Sequence, residues 1–179
     1  MSVDTLRCRV CEAEYPAIAS GSCLRCFEPL EPVYDWDELA RLATRERIEA
    51  GPRSLWRYEA LLPTRAPADA AGGPGWTPLV SAPRLASAVG VGEVLLKLDH
   101  TNPTHSFKDR VVGVAAAKAA ELGADTLACA STGNLGNAVA ARAAASGMRS
   151  VVLYPRTVEP EKLLATCVSG SSTTPKRRS

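Results

Sequence analysis

Apolar positions along this chain change spacing three times, and each change predicts a different kind of structure. Up to residue 34, large apolar residues are few and stand among charges, glycines and cysteines. From Trp36 to Ala50 they recur at helical spacing. Leu39, Leu42, Ala43 and Ile48 share one face, while Arg41, Arg45, Arg47 and Glu49 are mostly solvated. Asp35 is the expected N-cap and Gly51-Pro52 the stop. Ala66 to Gly75 is rich in Pro, Gly and Ala and reads as a loop. A short helix is expected from Arg84 to Val89, ending at Gly90. From Val94 onward, strand and helix patterns alternate. Strands are expected at Val94 to Leu98, Thr126 to Ala130 and Ser150 to Tyr154, with helices at Phe107 to Leu122 and Leu135 to Ala145. Gly123 and Ser146-Gly147 close the helices, and Pro155 stops the last strand. That order predicts an α/β chain with parallel strands in a βαβαβ unit and right-handed crossovers.

A further helix opens at Pro160-Glu161-Lys162 and runs to Val168. The tail from Ser169 to Ser179 has no periodicity and no large apolar residue, so it is expected to be disordered. The chain thus divides into a cysteine-bearing segment (1–34), a helix and linker (35–75), an α/β part (76–168) and a tail (169–179).

Composition narrows the classes. With 179 residues, 46% hydrophobic and 22% charged, the chain has enough apolar material for a core. A net charge of +2 provides no strong field toward nucleic acid or membrane. Ala-rich stretches are interrupted by charge within a turn or two, so no membrane span is expected. The N-terminus has Asp4, Arg7 and Arg9 around isolated apolar residues and no apolar core of a secretory signal. The expected location is the cytoplasm, where cysteines are reduced or metal-bound.

Four of the six cysteines are paired as Cys8-x-x-Cys11 and Cys23-x-x-Cys26, with Gly21 between the pairs to turn the chain. Each spacing places two sulfurs on one side of a tight loop, and two such loops close a tetrahedron around Zn²⁺. The alternative is four unligated thiols. The pairs are closer together than in most such sites, and neither second cysteine is followed by glycine. A four-sulfur site has no open position, so its expected role is structural. No aromatic-basic cluster accompanies the pairs to suggest nucleic-acid binding. Cys129 lies in a strand pattern and reads as a small buried hydrophobe.

Two loops carry candidate chemistry. In Leu98 to Arg110, Ser106 and Asp109 have capping-box spacing, which starts the helix at Phe107 and puts Lys108 in its first turn. The helix dipole disfavours a cation there, whereas a neutral amine is a nucleophile toward carbonyls. The plain alternative is a surface lysine near a helix start. In the second loop, Ser131-Thr132-Gly133-Asn134 precedes a helix and offers hydroxyls, a carboxamide and free N–H groups to a carboxylate or phosphate. The plain alternative there is an ordinary capped helix start. If both loops follow carboxyl ends of parallel strands, both open on one edge of the sheet.

Asn102-Pro103-Thr104-His105-Ser106-Phe107-Lys108-Asp109-Arg110 resembles the lysine motif of the fold-type II pyridoxal-phosphate enzymes, and within them is most similar to that of the threonine synthases. Trp76-Thr77-Pro78-Leu79 resembles the family's entry strand, and Trp56-Arg57-Tyr58 with Leu61-Leu62-Pro63 resembles the segment ahead of its catalytic domain. The resemblance implies a partial tryptophan synthase β-like fold behind a zinc-ribbon-like segment. It implies that Lys108 carries pyridoxal 5′-phosphate, that Asn134 donates to the cofactor's 3′-oxygen, and that Ser131, Thr132 and Gly133 hold the substrate carboxylate. The implied reaction converts O-phospho-L-homoserine and water to L-threonine and phosphate, in an enzyme that forms a homodimer at full length. Other members, a cysteate synthase or a threonine dehydratase-like lyase, remain open, as does a non-catalytic zinc-ribbon interaction protein. The resemblance ends near Ala165, before the family's phosphate cradle, so this chain is expected to be truncated and inactive by itself.

Overall fold

Three short strands frame the cysteines. β1 (Thr5–Cys8) pairs antiparallel with β2 (Glu14–Pro16) on one side and β3 (Leu30–Pro32) on the other. The computed structural model describes residues 3, 5–17, 21–68, 70, 73–168 and 172–175, the last stretch by its backbone alone. The helix expected from Trp36 to Ala50 is two helices, α1 (Trp36–Leu42) and α2 (Arg45–Ala50). Asp35 caps α1 as expected, accepting from the Glu38 N–H at 2.9 Å. Thr44 makes the break. Its backbone is extended and its hydroxyl takes the Arg47 N–H, the local competition that makes threonine a better cap than helix interior.

A 3₁₀ segment (Leu55–Leu61) follows, with Trp56 buried. Arg57 closes the end of α2 by donating through Nε and Nη2 to the Ile48 carbonyl at 2.9 and 2.7 Å. Its guanidinium carbon also lies 4.4 Å from the centre of the Trp76 ring, a cation–π contact. The segment therefore docks as its aromatic content suggests.

β4 (Leu79–Ser81), α3 (Pro83–Val89) and β5 (Leu95–Lys97) come next, and β4 and β5 pair antiparallel. This corrects the expected topology: the strand around Val94 to Leu98 does not belong to the parallel sheet. Closing a short loop onto the strand just before it costs less chain entropy than a long-range pairing. α3 ends at Gly90 with φ of 72°, as expected for a left-handed helix stop.

After α4 (Lys108–Glu121) the parallel unit begins. β6 (Thr126–Ala130), α5 (Asn134–Ala145), β7 (Arg149–Tyr154), α6 (Pro160–Val168) and β8 (Ser172–Pro175) form it, with strand order β6-β7-β8. A βαβαβ unit is thus present, displaced one strand toward the C-terminus. The expected structureless tail is corrected at 172–175, where the backbone pairs with β7 from Val151 to Tyr154. A strand at the edge of a sheet can be held by backbone partners alone, which a side-chain pattern does not reveal. The rest of the tail lies outside the described residues.

The core forms where α4 and α5 pack together against β6 and β7. Both helices bury small residues: Val112, Gly113, Ala116 and Ala117 on α4, and Gly136, Ala138, Val139, Ala140 and Ala143 on α5. Small side chains let helix axes approach closely. Val112, Ala138 and Val139 form one cluster, joined by Leu127 and Cys129 from one face of β6 and by Leu135. Cys129 is thus packed as a small hydrophobe, and burial pushes its thiol pKa up. Among the described residues, no helix is long and apolar enough to cross a membrane.

Candidate active site and thiol cluster

The loop from β5 to α4 is tied down at several points. Asn102, only 2% exposed, accepts the Gly75 N–H at 2.9 Å and donates to the Asp99 carbonyl at 2.7 Å. Asp109, 8% exposed, accepts from the Thr104 N–H and hydroxyl, both at 2.8 Å. The expected capping box is therefore not closed as a pair. Ser106 Oγ does accept from the first turn, from the Lys108 N–H at 3.2 Å, but the Asp109 carboxylate reaches back past Ser106 to Thr104. The helix starts at Lys108, one residue later than expected. His105 adopts a left-handed φ of 60° in the same loop, and its Nδ1 lies 3.0 Å from the His100 carbonyl.

A second tie runs from Asp99. Arg110 donates to both its carboxylate oxygens, at 2.8 and 2.9 Å, and the Thr77 hydroxyl donates at 2.9 Å. This bidentate pair joins the loop, α4 and the strand entry at Thr77. Arg110, then Thr77, hold the Asp99 carboxyl below its ordinary pKa. A depressed carboxyl contributes stability above its unfolded pKa, about 3.9, and loses it as pH falls through the lower folded value. The pair is therefore expected to survive acidification to about pH 4. The carboxyl-carbon NMR shift of Asp99 followed against pH would check this, and a midpoint at or above the unfolded value of about 3.9 would contradict it.

Gly75 is a further anchor. Its φ is 98°, and a Cβ there would lie 2.7 Å from the Leu55 nitrogen. Gly75→Ala is expected to destabilise the protein by roughly 1–3 kcal/mol from backbone conformation alone, with the clash adding to that. Urea unfolding measures it; an unchanged midpoint would show that this turn relaxes freely.

Within this frame Lys108 is half-buried, and its Nζ sits 4.6 Å from the centre of the Phe107 ring. Other described lysines face oxygen: Lys97 the Thr77 carbonyl, Lys118 Glu121, and Lys162 Glu159. Among the described residues, the Lys108 amine has no such acceptor, which leaves it free to meet a carbonyl.

α5 begins at Asn134, after a Gly133 N-cap that provides no side-chain cap. Ser131 Oγ accepts the Gly133 N–H at 3.2 Å. Thr132 and Asn134 are exposed. No described residue hydrogen-bonds the Asn134 carboxamide, so it is available to a ligand. Gly136 permits the close approach of this turn to β7, since a Cβ there would lie 3.1 Å from Val152 Cγ1.

The link between the helices that follow these two loops is not the expected one. β5 lies outside the parallel sheet, so strand topology does not align them. Instead Val112, one turn into α4, shares a cluster with Leu135, Ala138 and Val139 at the start of α5. The N-terminal halves of both helices therefore share one cluster, and Lys108 and Asn134 open those helices.

The second constellation is the thiol cluster. Sγ atoms of Cys8, Cys11, Cys23 and Cys26 all lie within 4.8 Å of one another. Contacts run between the two pairs: Cys8 to Cys26 at 3.4 Å, and Cys11 to Cys23 at 3.5 Å. The two loops are built alike. The carbonyls of Cys8 and Cys23 accept from the N–H groups of Glu12 and Phe27, each at 2.9 Å. Glu12 and Phe27 have φ of 56° and 62°, the left-handed position where glycine would be expected. The Tyr15 hydroxyl, with backbone N–H groups of Cys26 and Arg25, brings the Cys23 thiol down to about 6. For Cys26 the Glu28 N–H acts downward, but contact with Cys8, burial, and contact with Cys23 and Cys11 push it up to about 12. Four convergent sulfurs of this kind can hold a metal ion.

Sequence reasoning did not find Asn102, Asp99, Thr77 or Gly75 as supports. Asn102 before Pro103 is a turn signal, but its partner is 27 residues away.

Residues 70–174 match the family described as pyridoxal-phosphate dependent enzyme. The chain is 39% identical over 152 residues to a threonine synthase of Methanosarcina acetivorans, an alignment covering 84% of this chain and 36% of that protein. It is 34% identical over 150 residues to a threonine synthase of Methanocaldococcus jannaschii, covering 83% and 37%. Among solved structures, an O-ureido-L-serine synthase superposes with a TM-score of 0.51 at 30% identity, over 56% of this chain and 32% of that one. The chain spans little more than a third of the length of the curated relatives it matches. The matched span covers more than half of the chain and contains Lys108, its supports from Gly75 to Arg110, and the Ser131–Asn134 loop, and the chain belongs to the family of pyridoxal-phosphate dependent enzymes.

Proposed function

We propose that Lys108 is the cofactor-binding lysine of a threonine synthase-like lyase acting on O-phospho-L-homoserine and water to give L-threonine and phosphate. The observation that carries this is the cluster of Val112 with Ala138 and Val139, which joins the N-terminal halves of the helices that Lys108 and Asn134 open. The residues present suit pyridoxal 5′-phosphate. Lys108 offers an amine without an oxygen partner beside the Phe107 ring, and Asn134 offers an unengaged carboxamide. Bound there, the cofactor supplies an electron sink for charge developing on the substrate. Lys108 would hold it through its amine and would move protons at the substrate's Cα. Asn134 donates to the 3′-oxygen. The α5 N-terminus, with Ser131, Thr132 and Gly133, binds the substrate carboxylate, since free N–H groups and the helix dipole favour an anion there. The Asn102, Asp109 and Arg110 bonds hold the lysine loop during these exchanges.

The relatives are longer, and a phosphate anchor is not found among the described residues. Turnover by these 179 residues alone is therefore expected to fall well below about one per second, an ordinary enzyme rate. The reading is tested by borohydride reduction with pyridoxal 5′-phosphate followed by peptide mapping. Labelling should fall on Lys108 and should decline when O-phospho-L-homoserine is present, because its amine competes for the cofactor's aldehyde carbon. Labelling spread evenly over the lysines would end the proposal.

The thiol cluster is proposed to hold one structural Zn²⁺ through Cys8, Cys11, Cys23 and Cys26. A reducing cytoplasm would keep these thiols available.

A further inference from the structure

Tyr15 was not among the residues that the cysteine spacing singled out, yet it joins the two halves of the thiol cluster. It lies on β2, paired with Leu6 across the strand that ends in Cys8. Its hydroxyl crosses to the other loop and lies 3.2 Å from Cys23 Sγ. The Leu24 N–H points at the same hydroxyl oxygen, at 3.2 Å. A backbone N–H can only donate, so the tyrosine oxygen is its acceptor, and the hydroxyl proton is left to point at sulfur. Cys23 also receives the Arg25 N–H at 3.3 Å. It is fully buried, so water does not compete for these bonds.

We infer that Tyr15 is a positioning residue for the metal centre, donating a hydrogen bond to the Cys23 thiolate that orients this ligand and disperses its charge. The inference rests on the zinc reading given above. Four thiolates around one Zn²⁺ leave an excess of two negative charges, and hydrogen bonds to sulfur offset that excess. Groups that bond the ligands from outside typically change metal affinity by about 10–100-fold when removed. Tyr15 also ties the first loop's strand to the second loop, so it sets the distance between the two cysteine pairs.

The test uses the whole chain and the metals alone. Zinc affinity of wild type, Tyr15→Phe and Tyr34→Phe is measured by competition with a chromophoric chelator. Tyr34 is the control because its hydroxyl donates to the Leu61 carbonyl, not to a sulfur. Phenylalanine keeps the ring at position 15, and circular dichroism of each zinc-loaded variant reports its fold. Tyr15→Phe should bind zinc about tenfold more weakly or worse, with Tyr34→Phe unchanged. Loaded with Co²⁺, Tyr15→Phe should retain the tetrahedral ligand-field bands while its sulfur-to-metal charge-transfer band shifts. Equal zinc affinity in Tyr15→Phe and wild type overturns the inference and leaves the zinc reading intact. Equal weakening in both variants also overturns it, by showing a general loss of stability. A wild-type chain that takes up no zinc overturns both readings together.

Discussion

Replacing Cys8 and Cys11 by serine is expected to remove the bound zinc and unfold the segment of β1, β2 and β3. These strands are three or four residues long, and such sheets are not stable without a hydrophobic face or a cross-link. The described apolar residues there supply little of one: Val3 is buried, but Val10, Leu24 and Phe27 are all exposed, the last by 81%. The most deeply buried side chains of the segment are Cys8 and Cys23, the proposed ligands themselves. Metal binding must then provide most of the folding free energy, and for small four-ligand sites it amounts to about 10–16 kcal/mol at neutral pH. Two left-handed residues, Glu12 and Phe27, oppose folding by roughly 1–3 kcal/mol each, well within that sum. Elemental analysis should find about one zinc per wild-type chain and little in the double variant. Loss of N-terminal amide protection by hydrogen exchange should accompany it. Full protection without zinc would show that the thiols pack well enough unligated.

Lys108→Ala is expected to abolish covalent capture of pyridoxal 5′-phosphate, while the fold persists. A neutral hydrogen bond such as that proposed for Asn134 contributes roughly 0.5–1.5 kcal/mol, about tenfold in affinity at most by the 1.4 kcal/mol-per-decade rule. The covalent link therefore dominates retention. Replacing the lysine is expected to leave the scaffold almost untouched, because among the described residues its amine faces the Phe107 ring, itself 56% exposed, and no hydrogen-bond acceptor. The stabilising bonds of the loop come from Asn102, Asp109 and Arg110. Dialysis followed by absorbance should show cofactor kept by wild type and lost by the variant, with thermal midpoints close together. Undiminished capture in the variant would move the cofactor site to another amine.

The sequence alone singled out the candidate groups for chemistry. Lys108, the Ser131–Asn134 loop and the four cysteines are local patterns, the longest running from Cys8 to Cys26, and local spacing is enough to show them. Helix starts at Asp35 and stops at Gly90 were legible for the same reason, since caps are satisfied within one turn. Tertiary structure decided which groups meet and what holds them. β5 pairs with β4 and not with β6 because strand edges choose among partners by position in space. The parallel unit gained its third strand from the Ser172–Pro175 backbone, where the side-chain pattern carries no signal. Lys108 and Asn134 were expected on one sheet edge; β5 lies outside the parallel sheet, and what joins the helices that these residues open is the cluster of Val112 with Ala138 and Val139, small residues whose fit depends on two helices at once. Tyr15 and Asn102 act on partners 8 and 27 residues away. A hydrogen bond across that separation leaves no spacing in the sequence, because the folded chain alone brings its donor and acceptor within reach.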